Sequence, residues 1–117
     1  MTTEKLAKLI IERVRDESIE QWLGNIDGKM KGATAKKVRA LIKDWPPRER
    51  AVLNRLIPAI VDTVLHNLMW TIEQDPGIRL SYGNGPQLRD VGDGLPGDLV
   101  SWREKYSQQP VFDPFDV

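Results

Sequence analysis

Apolar positions recur at helical spacing through the first two thirds of the chain and at strand spacing after it. Leu6, Leu9, Ile10 and Val14 fall at i, i+3, i+4 and i+8, one face of a helix that Thr2 or Thr3 can cap. Ile19, Trp22, Leu23 and Ile26 then repeat on nearly the opposite side of the same wheel. Between the two sets lies Ser18-Ile19-Glu20-Gln21, which has the S-x-x-Q form of a capping box. The pattern predicts a helix over about 4–16 and a short second helix over about 18–23. The alternative is one continuous helix buried on both sides.

Gly24, Gly28 and Gly32 predict a loop, and Thr34 a cap for a helix over 34–44 that carries Val38, Leu41, Ile42 and Trp45. Trp45-Pro46-Pro47 stops that helix, and Pro47 suits the first turn of the next. The next is the longest, over 47–74. Its stripe is Leu53, Ile57, Ile60, Val64, Leu68 and Ile72, widened by Leu56, Val61 and Leu65. Pro58 falls inside it. Because the stripe keeps its phase, a kink is expected and not a break.

After Asp75-Pro76-Gly77 the period changes. Ile78 to Tyr82 alternates in steps of two, Asn84-Gly85 is a hairpin turn signal, and 87–91 reads as a returning strand of poor alternation. Asp93-Gly94-Leu95-Pro96 leads into a last helix over 97–106 with Leu99, Trp102 and Tyr106 inward. The expectation is therefore an α+β domain, mainly α. It is a single unit over 1–117, with four to five helices around a long central helix and one small antiparallel β-hairpin.

A chain of 117 residues, 40% hydrophobic and 29% charged, has the size and balance of one globular domain. The lack of cysteine excludes disulfides, zinc–thiolate sites and thiol nucleophiles. The charged N-terminal stretch has no signal-peptide pattern, and no apolar run approaches the roughly 18 residues of a membrane span. A cytoplasmic protein off the membrane is expected. Net charge is zero, but the charges are segregated: net −2 over 1–28, +7 over 29–55 and −5 over 56–117.

The only histidine, His66, follows Asp62 by four residues, so the two can pair on one helix face, with Trp70 a turn beyond. At 100° per residue Arg48, Arg55, Asp62, His66 and Glu73 share a polar line opposite the stripe. The ordinary reading is a solvated face. The functional ones are a binding surface with Trp70 and Glu73, or an acid/base site with His66 oriented by Asp62. Lys36, Lys37, Arg39 and Lys43 form a basic face, suited to an acidic protein partner and, less well, to a phosphate backbone. Asp90, Asp93 and Asp98 fail the calcium-loop template and suit a helix N-terminus. No metal or cofactor is expected. The tail 111–117 mixes aromatic and acidic residues, and docking on its own domain or on a neighbouring subunit is expected for it.

The segments Val61-Asp62-Thr63-Val64-Leu65-His66 and Asp93-Gly94-Leu95-Pro96-Gly97-Asp98-Leu99 to Trp102 resemble a pattern in small bacterial proteins without an assigned activity. There a D-x-x-x-H helix precedes a strand pair and a DGL-x-G-[DE]-L-x-x-W helix. The resemblance implies a bacterial source and a compact α+β domain, and it carries over no catalytic residue. The leading expectation is a non-enzymatic protein-interaction domain, immunity-like or accessory by analogy of size. A protein partner is expected, with a homo-oligomer as the other form of association. The alternatives are a hydrolase or isomerase using His66 with Asp62, and a nucleic-acid binder through 29–43.

Overall fold

The computed structural model describes residues 2–109, so the expectation for the tail 111–117 lies outside the described residues. The chain begins with one unbroken helical rod: Thr2–Leu9 (α1), a π-helical segment Ile10–Asp16, and Glu17–Asp27 (α2). The expected break at Ser18 does not occur. An i, i+4 row such as Ala7, Ile11, Arg15 and Ile19 drifts by about 40° per step around an α-helix. The wider π turn, bonded i to i+5, advances less per residue and takes up that drift. All four side chains are consequently buried, Arg15 at 0% exposure among them, whereas Trp22 is turned outward. Asp16 lies inside the rod, and the capping box has no free helix end to cap.

The rod ends at Gly28, whose φ of 92° is left-handed and whose N–H bonds the Gly24 carbonyl at 3.1 Å. A Cβ there would meet only ordinary contacts with Arg39. Gly28→Ala is thus expected to cost about 1 kcal/mol through backbone conformation alone. A urea midpoint that does not fall would contradict this.

Ala33–Ile42 (α3) follows, with Gly32 and not Thr34 at its N-cap. Pro47–Gln74 (α4) is the strut, opened by Pro47 and continuous through a buried Pro58. Two core clusters form along it. Ile57 packs with Ile26 and Ile42, flanked by Leu23, Val38 and Leu53. Leu65, Met69 and Ile72 pack with Ile11, Leu88, Leu95 and Leu99. Val61 touches both clusters. Half of the predicted stripe is not in either: Ile60, Val64 and Leu68 are 55%, 62% and 48% exposed. The buried side of α4 is centred nearer Leu65 than Ile60, because its neighbours converge on Ile57, Val61, Leu65, Met69 and Ile72.

No strand occurs among the described residues, so the fold is all-helical there and the α+β expectation is corrected. Asn84-Gly85 does turn the chain, with the Gly85 N–H on the Tyr82 carbonyl at 3.0 Å. A single cross-link follows, Leu88 N–H to Leu80 carbonyl at 2.7 Å, and then a 3-10 turn at Leu88–Asp90. Pro86 has no N–H to pair. Arg89 draws the returning segment under α4, donating to the carbonyls of Ile72, Asp75 and Pro76. Leu88 becomes a core residue at 1% exposure. The last helix, Leu95–Tyr106 (α5), packs along the second half of α4. Among the described residues no helix is long and apolar enough to cross a membrane.

Candidate functional site

Two features stand out, a buried ionic knot on the inner side of α4 and an uncovered apolar ridge on its outer side. The knot centres on Arg15. Its Nε and Nη2 donate to the two carboxylate oxygens of Asp62 at 2.7 and 3.3 Å. Its Nη1 donates to Asp16 at 3.0 Å and to the Ser107 hydroxyl at 2.8 Å. Arg103 from α5 adds a second cation on Asp62 at 2.8 Å. Asp16 in turn accepts from the Ser107 hydroxyl and from the Gln108 N–H. Two arginines face two aspartates, so charge is balanced and nearly every polar atom is satisfied. Buried charges are tolerated on those terms. The knot ties the rod, α4, α5 and the segment after α5 together.

This arrangement decides what the candidate residues do. Asp62 is held by Arg15 and Arg103, not by His66. His66 is exposed, makes no hydrogen bond or ion pair with a described residue, and lines none of the clefts described below. Glu73 accepts the Leu95 N–H at 3.3 Å and so caps α5 from the neighbouring helix. Trp70 is 53% exposed. Lys36, Lys37 and Lys43 are exposed, with Lys36 and Lys43 seven residues apart and on one side of α3. Arg39 is instead partly buried and donates to the Met30 carbonyl at 2.9 Å, so it braces the turn after α2. Arg48 is exposed at the start of α4.

The outer ridge was not singled out by sequence reasoning. Val52, Leu56, Ile60, Val64 and Leu68 follow one another every four residues along α4. Val52 is 53% exposed, and Leu56 is half-buried. Thr63 and Thr71 lie beside it, and their hydroxyls donate back to the Ala59 and Asn67 carbonyls at 2.9 and 2.8 Å. With the hydroxyls turned onto the backbone, these threonines leave methyl groups free, so the face is more apolar than its residue names suggest. Ile60, Val64 and the two threonines adjoin on this side, with exposed Asn67 among them, and grouped apolar residues mark an interaction surface more often than scattered exposed leucines do.

Several clefts open on other elements, away from the ridge. One of about 640 Å³ is bordered by Glu17, Glu20, Asp27, Lys29 and Met30, and another runs between α1 and Tyr106. Among the described residues no group of three or more His, Cys, Asp or Glu is placed to hold a metal ion. No protein-family model, curated protein or solved structure matches the chain.

Proposed function

We propose that this protein is a non-enzymatic interaction domain that docks another protein on the outer face of α4. The observation that carries the reading is the group Ile60, Val64 and Leu68, 55%, 62% and 48% exposed along a helix whose other side is core. The free imidazole of His66 and the commitment of Asp62 to two arginines weigh against proton transfer as the purpose of that helix, since a base needs an orienting partner and an enclosed substrate. An immunity-like role would be one case of docking on this face.

The chain has no cysteine, so a single introduced thiol reports on the face directly. Val64→Cys is expected to react with a maleimide freely in dilute purified protein. In nuclease-treated extract of its native cells the reaction is expected to be roughly tenfold slower, as a docked partner excludes solvent from the centre of an interface. Thr34→Cys, exposed on α3, serves as the control and should react equally in both. Equal rates for Val64→Cys in buffer and in extract would overturn the reading.

A further inference from the structure

We infer that the partner on this face is a second copy of the chain, the two α4 helices packing antiparallel about a two-fold axis near Ile60; the inference rests on the interaction reading above. The ridge is self-complementary in form. A row at i, i+4 spacing is the ridge that packs between the matching rows of another helix. The row winds by about 40° per step, so Val52 and Leu68 fall about 80° to either side of Ile60, and an antiparallel copy sets Ile60 against Ile60 and Leu56 against Val64. A two-fold contact of one patch with itself closes at the dimer.

Area and charge choose the orientation. A helix of 28 residues is roughly 42 Å long, so a strip one helix wide offers on the order of 500 Å². A standard interface needs about 800 Å² per partner, so the strip must be supplemented by its ends. The two ends of α4 differ in sign. Lys43 and Arg48 are exposed at its start, with Lys36 and Lys37 on the adjoining α3. Asp75, Asp90 and Asp93 are exposed at its finish, where Arg89 and Glu73 hold the following loop against the helix. Asp44, Glu49 and Arg79 are the exceptions, and the segment totals outweigh them. Parallel copies would stack the +7 segments; antiparallel copies set basic ends against acidic ones and oppose the helix dipoles. With zero net charge, the copies do not repel as wholes.

Sedimentation equilibrium across a dilution series is expected to show the mass rising from 13.3 kDa to twice that value. Dissociation should strengthen severalfold at high salt as the end charges are screened. Val64→Glu, at a position 62% exposed, is expected to keep the helical circular dichroism and to weaken association by about tenfold or more. Ile60→Glu, at a position 55% exposed, should do the same. For orientation, Leu56→Cys and Val64→Cys chains mixed under mild oxidation are expected to form the mixed disulfide, with little Leu56→Cys homodimer. A wild type that stays monomeric throughout overturns the inference. The docking reading then stands only if Val64→Cys is still shielded in extract. A dimer indifferent to both glutamate variants, or a Leu56→Cys disulfide-linked homodimer in excess of the mixed one, overturns it equally.

Discussion

Replacing Arg15 with methionine is expected to lower the unfolding free energy by about 3–5 kcal/mol, the usual cost of removing one partner from a buried ion pair. Methionine keeps much of the stem and loses the fork. Arg15 is wholly buried, and its guanidinium makes four hydrogen bonds to Asp62, Asp16 and Ser107. Without it Asp16, itself 5% exposed, keeps only the Ser107 hydroxyl and the Gln108 N–H. Asp62 keeps only Arg103. An uncompensated carboxylate in a dry site costs far more than a lost surface contact. A domain of this size has about 5–15 kcal/mol in hand, so a large part of its stability goes. Arg103→Met is the internal comparison. Its side chain is 23% exposed and makes one bond to Asp62, so its loss should cost about 1 kcal/mol. The double variant Arg15→Met with Asp16→Asn should recover part of the single variant's loss, because it removes the carboxylate left without a cation while Asp62 keeps Arg103. Urea unfolding of the variants checks all three. An Arg15→Met midpoint close to the wild type would mean that Arg15 is not held as described.

The knot also explains which features the sequence could disclose. Arg15 stands in the apolar row Ala7, Ile11, Ile19, and Asp62 stands beside Pro58, Val61, Leu65 and Met69. A charge in an otherwise apolar row is a legible hint of burial for Arg15, whereas Asp62 also belongs to the polar line of Arg55, His66 and Glu73. The i+4 spacing of Asp62 and His66 is equally real and more conspicuous, but it is local. The partners that hold Asp62 lie 47 and 41 residues away in sequence, and no local spacing reports them. The helical rod is ambiguous in the sequence, broken or continuous, for a related reason. A phase change of the apolar pattern has two solutions, a break or a π turn, and Ser18 to Gln21 imitates the first. The hairpin rested on Asn84-Gly85, which specifies a turn but not the ladder beyond it, and Arg89 takes the returning segment elsewhere. The bounds of α4 were legible because they are set locally, by Pro47 at one end and by Asp75-Pro76-Gly77 at the other.

Leu65→Ala is expected to cost about 2–5 kcal/mol, and its neighbour Val64→Ala no more than about 0.5 kcal/mol. The contrast tests where α4 meets the core, since the two residues are adjacent and the apolar pattern alone makes Val64 the more central. Leu65 is 3% exposed and packs within the cluster of Ile11, Met69, Ile72, Leu88, Leu95 and Leu99. Truncation leaves a cavity that these neighbours, drawn from three separate helical segments and a 3-10 turn, cannot close together. Val64 is 62% exposed, so truncating it removes methyl groups that already face water. Both are read by urea unfolding at a dilution that keeps the chain monomeric, because association would add apparent stability to any residue on the outer face. At higher concentration the order of effects is expected to change only for Val64, whose truncation then subtracts from the linkage term. Equal losses at both positions in the dilute chain would place the core stripe where the sequence pattern put it. The outer ridge would then cease to be a free surface, and the docking proposals would lose their basis with it.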